Sequence, residues 1–286
     1  MCAGARAAGR RASHVSCLAE QAKILYAEAE ENNLGLKVIN ERAARWYSCS
    51  LCEQDYHGVV RCALGWACWK TYVDRPETQD STLLNAMTLL GNGLCLANHD
   101  KDALSVREAE LSMIRRLGAP EEHVLAVQGN LAITYRALGR LDEELRLRQD
   151  VYSATLKLLG KEHRDTLLEA NNYANSLIEL DRLIRFKEAK ALLRKMTPVA
   201  RRVLGESDAT TLRMRRNYAR ALYRDSSATL DDLREAVTTL EEIEPAARRV
   251  LGGAHPLVLS IGKSLRASRV TLRGREAGKS VIFVKC

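Results

Sequence analysis

The sequence predicts an all-α fold: a solenoid of stacked helical hairpins wound as a right-handed superhelix. Three observations carry that prediction. The pair Leu-Gly recurs at Leu117-Gly118, Leu159-Gly160, Leu204-Gly205 and Leu251-Gly252, with spacings of 42, 45 and 47 residues. Self-similarity at such a period marks a repeat array. Each interval holds two stretches with apolar residues at helical spacing. Aromatic residues make up only 5% of the 286, with two Phe and five Pro. Ala, Leu, Glu and Arg dominate, which suits helices packed through small side chains.

Residues 1–16, MCAGARAAGRRASHVS, are rich in Ala and Arg and contain no acid. They read as a disordered or targeting start. Residues 17–76 follow as one helix plus a degenerate repeat. LAEQAKILYAEAEENN is the good helix former in this stretch, and the Cys-rich segment comes after it.

Cys49, Cys52, His57, Cys62 and Cys68 invite a zinc reading, since thiolate and imidazole suit a tetrahedral Zn²⁺. Cys62 and Cys68 do not form a second close pair, however, and Cys62, Trp66 and Trp69 fall at i, i+4 and i+7 on one helical face. Laying Gly58 on Gly139 puts Ala63 at the small position of a second helix. On that alignment the cysteines are small buried hydrophobes. Pro76, within DRPETQD, bars helix continuation between repeats. The array proper is expected over 77–270, and 271–286 form a tail whose end, GKSVIFVKC, is unlike the repeats.

Within a unit, VLAVQGNLAITYRAL leads through Gly139 to LDEELRLRQDVYSATLKLLG, and Gly160 ends the second helix in the left-handed conformation. From Tyr135 to Glu144 is 9 residues, as from Leu94 to Ala103. The matching distances are 12 from Leu177 to Ala189 and 14 from Leu222 to Ala236. The excess equals the growth of the period, so the added length is expected in the turn inside the hairpin, with helix lengths constant.

The motifs NLAITY, NNYANSL and NYARALY, each followed by a turn, an amphipathic helix and LG-x-x-H or a variant, resemble tetratricopeptide repeats of the 42-residue kinesin-light-chain type. The resemblance spans roughly 45–270 and is strongest over 82–256. Ala132, Ala174 and Ala219 match the small residue of the family's first helix; Ala103, Ala189 and Ala236 match that of the second, where Glu144 departs. The resemblance implies that first helices line a concave groove, with Asn130, Asn172 and Asn217 pointing inward. Three residues along lie Ile133, Asn175 and Arg220, and Asn92 holds a comparable place in the first unit. Arg213, Arg216 and Arg220 add guanidinium groups suited to carboxylates. The expected peptide-binding set is therefore Asn92, Asn130, Asn172, Asn175, Asn217, Arg216 and Arg220. Two alternatives stand beside it: the asparagines satisfy neighbouring helices, and the arginines pair with Glu206, Asp208 or Asp231.

Catalytic patterns are scarce. No Gly-rich phosphate loop, H-E-x-x-H or G-x-S-x-G occurs. His123, His163 and His255 recur in one loop context, which assigns them to capping helix starts. Neither an enzyme nor a cofactor is expected. The net charge of +8 clusters partly at Arg213, Arg215, Arg216 and Arg220, with only Tyr218 and Tyr223 among them. That is a poor base-stacking stripe, so nucleic acid is an unlikely partner. No apolar run is long enough to cross a membrane, and no apolar core of a secretory signal is present. A cytoplasmic protein-interaction scaffold holding a peptide, acidic in character, is the leading expectation. A zinc-containing adaptor and a truncated paralogue without an independent role are the alternatives, and the oligomeric state is left open.

Overall fold

The computed structural model describes residues 14–75, 81–180 and 183–278. Among these residues the secondary structure is twelve α-helices, one 3-10 turn and an isolated antiparallel bridge between Ser48 and Asp55. They run α1 (Val15–Glu31), α2 (Leu36–Ala43), the turn Ala44–Trp46, α3 (Gly58–Tyr72), α4 (Ser81–Leu96), α5 (Asp100–Arg116) and α6 (Glu121–Ala137). Then come α7 (Leu141–Leu159), α8 (Arg164–Glu179), α9 (Leu183–Leu204), α10 (Ala209–Arg224), α11 (Leu230–Leu251) and α12 (Pro256–Glu276). The chain divides into two compact units, 1–140 and 141–286. In each, helices adjacent in sequence pack on one another, as an array of helical hairpins requires. The expected all-α repeat fold is what the structure has.

In the first unit α1 packs on α2 and α3. Ala22 and Tyr26 meet Trp46, Cys68, Tyr72 and Ala86 in one cluster. Tyr26 and Trp46 both stand edge-on to Tyr72, with ring centroids 5.7 and 6.1 Å away. Residues 47–56 form a closed loop, pinned where the Cys49 amide donates to the Gln54 carbonyl and the Tyr56 amide to that of Tyr47. α3 and α4 approach closely because glycines face the partner backbone. A Cβ at Gly93 would lie 2.9 Å from both the Arg61 carbonyl oxygen and Cys62 Cα, and one at Gly65 3.0 Å from the Leu89 carbonyl oxygen. Between α4 and α5, Arg107 and Glu110 are each only 1% exposed. Their closest charged atoms are 3.8 Å apart. Arg107 also donates to Asn92 Oδ1 at 2.6 Å.

In the second unit the first helices α8, α10 and α12 alternate with α7, α9 and α11. Leu167, Tyr173, Ala174 and Leu177 of α8 form one core with Phe186, Ala189, Leu193 and Met196 of α9. Leu212, Ala219 and Leu222 of α10 form the next with Leu233, Ala236 and Leu240 of α11 and Val258 and Ile261 of α12. Ala189 and Ala236 are wholly buried, as a small residue at a helix crossing must be. α8 packs on α10, and α10 on α12.

Two expectations are corrected. The added length of the longer units is mostly helical. α9 and α11 have 22 residues against 19 in α7. The connection before α9 has the same length as that before α7, and only the one before α11, residues 225–229, is longer. The added residues lie ahead of the small position, as expected, but they carry no Gly or Pro, so the second helix begins almost a turn earlier. The histidines also divide. His163 Nδ1 accepts from the Asp165 amide and His255 Nδ1 from the Leu257 amide, each capping a helix start. His123 lies inside α6, whose N-cap is Pro120. Asp208 does the capping for α10, accepting from the Thr210 amide at 2.7 Å. Gly118, Gly160, Gly205 and Gly252 all have positive φ, between 63° and 92°, which explains their recurrence.

Candidate functional site

The face that α8 and α10 share in the second unit concentrates the amides and guanidinium groups singled out in the sequence. α10 can hold that face because Asp208 caps its start while Leu212, Ala219 and Leu222 anchor its other side. Asn217 is only 3% exposed and donates from Nδ2 to Asn171 Oδ1 at 3.0 Å, locking α10 to α8. Arg220, also buried, donates to Asn175 Oδ1 at 2.8 Å and to Asn217 Oδ1 at 3.3 Å. Its second terminal nitrogen pairs with Glu179, which also lies 3.7 Å from Arg224. Asn172 is half-buried and donates to Glu169 Oε1 at 3.2 Å.

Arg216 differs from Arg220. It is half-buried, and among the described residues its one hydrogen-bonding contact is to Asn217 Oδ1 at 3.4 Å, while its Nε makes none. Among the described residues no carboxylate lies within ion-pair distance of it. Burial, with the Arg220 charge adding to it, pushes its pKa down to about 10. A guanidinium held this way is stabilised by any anion that reaches it. Arg213, one turn earlier, is exposed.

In the first unit Asn130 is half-buried on α6, with Ile133 49% exposed one turn beyond. Asn92 is engaged by Arg107. The carboxylates suggested for the arginines have other partners: Glu206 pairs with Arg201 and Arg215, Asp208 with Arg164, and Asp231 with Arg234. Sequence reasoning missed Asn171 and Glu179. Glu179 follows Asn175 by four residues, so the helical register already placed both on one face.

On the other side of α10 a cleft of about 330 Å³ opens between α9 and α11, lined by Arg194, Pro198, Arg201, Tyr218, Glu235 and Glu242 among others. Its charges satisfy one another. Arg194 donates to the Tyr218 hydroxyl, which donates to Glu235 at 2.9 Å, and Arg215 pairs with Glu242. That leaves it a poorer recognition surface than the α8–α10 face.

The five candidate zinc ligands do not converge. Six residues along a helix turn a side chain through about 240°, so Cys62 and Cys68 face different neighbours. Cys62 packs with Leu90, Leu94 and Ala103, and Cys68 with Tyr26, Trp46 and Tyr72. Cys49 is buried and accepts from the Leu51 amide, Cys52 is half-buried, and His57 is exposed at the N-cap of α3. Among the described residues, no group of three or more His, Cys, Asp or Glu is arranged to hold a metal. Burial raises the Cys62 thiol pKa, with Asp102 adding to it, and pushes that of Cys68 up to about 12. Both are poor thiolates.

No family model matches the chain, and no curated protein matches it in sequence. Solved structures do. A kinesin light chain of Podosopora anserina with nearly identical tetratricopeptide-like repeats superposes with a TM-score of 0.54 at 18% identity, covering 83% of this chain and 98% of that one. A point variant of that protein gives 0.53 at 18% identity, covering 84% and 99%. The fold is that of a tetratricopeptide-like helical-repeat array. At this identity the likeness concerns architecture alone. Among the described residues no helix is long and apolar enough to cross a membrane.

Proposed function

We propose that this chain is a cytoplasmic, non-catalytic protein-interaction scaffold whose second unit holds an acidic peptide across α8 and α10. The observation that carries the reading is Arg216, a half-buried guanidinium with no carboxylate partner among the described residues. It hydrogen-bonds the Asn217 amide, and the neighbouring Arg220 contacts both Asn217 and Asn175, while Asn172 lies three residues before Asn175 on α8. Arg220 lies beside it, already paired to Glu179 but able to add long-range attraction. Asn217 is buried and engaged within the fold, so the half-buried amides of Asn172 and Asn175 are the ones to donate to and accept from a peptide backbone, without selecting one side chain. A carboxylate reaching Arg216 forms the charge-assisted contact that the described residues leave unmade. Asn130 with the exposed Ile133 offers a neutral counterpart in the first unit.

The test is fluorescence anisotropy with synthetic peptides rich in Asp and Glu, against counterparts in which those residues are Asn and Gln. The acidic set should bind and weaken with added salt. Arg216→Ala should cost roughly 1.5–3 kcal/mol, the range for a hydrogen bond to a charged group. Arg201→Ala with Arg202→Ala, on the outward side of α9, should leave binding unchanged. Equal loss in both variants, or no preference for the acidic peptides, would overturn the assignment.

A further inference from the structure

α12 carries an exposed seam. Leu259, Lys263, Arg266, Val270 and Arg273 are spaced alternately four and three residues apart, and all five are exposed. That spacing keeps side chains in one line along a helix and is the register by which helices pair in coiled coils. Leu259 and Val270 are 60% and 63% exposed. Two aliphatics this exposed in one line are apolar surface that water solvates poorly. The helix holds five basic residues and one acid, Glu276. Arg269 pairs with Glu241 and Arg275 donates to the Ser226 carbonyl. Lys263, Arg266 and Arg273, in the seam itself, have no carboxylate within ion-pair distance among the described residues.

α1 carries the complement. Cys17, Gln21, Ile24, Glu28 and Glu31 repeat the same alternation of four and three, and all are exposed, with Ile24 at 49%. This helix has four Glu and one Lys. Glu30 is held by Arg75, and Glu20 reaches Lys23 only at 3.9 Å. Glu28 and Glu31 face solvent, with no cation in ion-pair distance among the described residues. α1 and α12 are the first and last described helices, and among the described residues no further hairpin packs beyond either.

We propose that the basic seam of α12 docks on the acidic seam of α1 in a second copy of this chain. The apolar residues supply the contact area, while unlike charges set the partner and the order of docking. Such a contact joins two different surfaces. It closes as a two-fold dimer if each copy presents both seams to the other, and otherwise runs head to tail into a ring or an open chain of copies.

Sedimentation velocity on the full chain, under reductant so that Cys17 cannot crosslink, reads this directly. The average mass should rise with protein concentration and fall as salt is added. Lys263→Glu with Arg266→Glu should weaken association at least about tenfold, because like charges then face each other across the contact. Glu28→Lys with Glu31→Lys should do the same, and the four changes combined should restore association. Circular dichroism verifies that each variant keeps its helices. A chain that stays monomeric at every concentration and salt overturns the proposal, as does association indifferent to both reversals. So does a form ending at Gly278 that associates when the full chain does not, since the seam of α12 would then belong to the chain's own tail.

Discussion

Replacing Gly93 by Ala adds one methyl group at the tightest helix crossing described. The new carbon would sit 2.9 Å from the Arg61 carbonyl oxygen and 2.9 Å from Cys62 Cα. Both are main-chain atoms of α3 and cannot swing aside as a side chain would. Ordinary contact for carbon is roughly 3.5–4.0 Å, so α3 and α4 must separate, loosening Leu90, Leu94 and Cys62 behind them. Overpacking of this kind costs about 1–3 kcal/mol, and rigid walls place it in the upper half of that range. Alanine returns about 1 kcal/mol because it orders more readily than glycine inside a helix. The net expectation is a loss of about 1–2 kcal/mol. Trp46, Trp66 and Trp69 all lie in the first unit, so tryptophan fluorescence in urea reports this unit alone. With a slope of about 2 kcal/mol per molar, the middle of the usual range, the midpoint should fall by about 0.5–1 M. A midpoint that rises would show propensity acting without a clash, and the close approach of α3 to α4 would be refuted.

Three further outcomes follow from other parts of the chain. Burial opposes ionisation of Asp208, but the Thr210 amide and the Arg164 guanidinium outweigh it and hold its pKa below the ordinary value. Its stabilising contribution is therefore full above the unfolded carboxylate pKa near 3.9 and is lost as pH falls through the lower folded value. Acid melts of Asp208→Asn should show a flatter dependence in that window than the unaltered chain. A chelator should leave the tryptophan-detected melt of the first unit unchanged; structural zinc would instead add folding energy that the chelator removes. Gly252→Ala, at φ 83° with no atom within 4 Å of the new carbon, isolates backbone strain. It should lower second-unit stability by roughly 1 kcal/mol, read by circular dichroism.

Much of the fold was legible because backbone requirements recur. A glycine with positive φ must follow each second helix, and a wholly buried Ala must sit where helices cross; both repeat at the period and survive as letters. The helix starts were legible in part. His163, Asp208 and His255 share one offset from their glycines, whereas His123 is two places later and caps nothing. The extra residues before Ala189 and Ala236 were located by counting, but counting cannot tell coil from helix; their lack of Gly and Pro was the available signal. The site was harder. Asn217 and Arg216 are adjacent letters, yet one is locked to Asn171 and the other has no carboxylate within ion-pair distance among the described residues. That difference arises from neighbours on α8, some 40 or more residues away in the chain. In the cysteine segment, the helical spacing of Cys62, Trp66 and Trp69 already marked a helix, and the wide angle between Cys62 and Cys68 was implicit in their separation.

One interior feature bears on how a chain of look-alike hairpins avoids scrambling. Four residues past the small position of the second helix stands Arg107 in α5 and Arg148 in α7, both buried. Arg148 lies 3.9 Å from Glu144 and 3.3 Å from Glu169, and Ser176 donates to Glu144 at 2.6 Å. The same place holds Leu193 in α9 and Leu240 in α11, both wholly buried. A hairpin exchanged between these two kinds of unit, within one molecule or between two, would set Leu193 against a stranded carboxylate or Arg148 against hydrocarbon. A buried charge deprived of its partner costs about 3–5 kcal/mol, comparable to the stability of a whole hairpin. The hairpins therefore carry internal addresses. Similar outlines let them stack, and dissimilar interiors tell each one where it belongs.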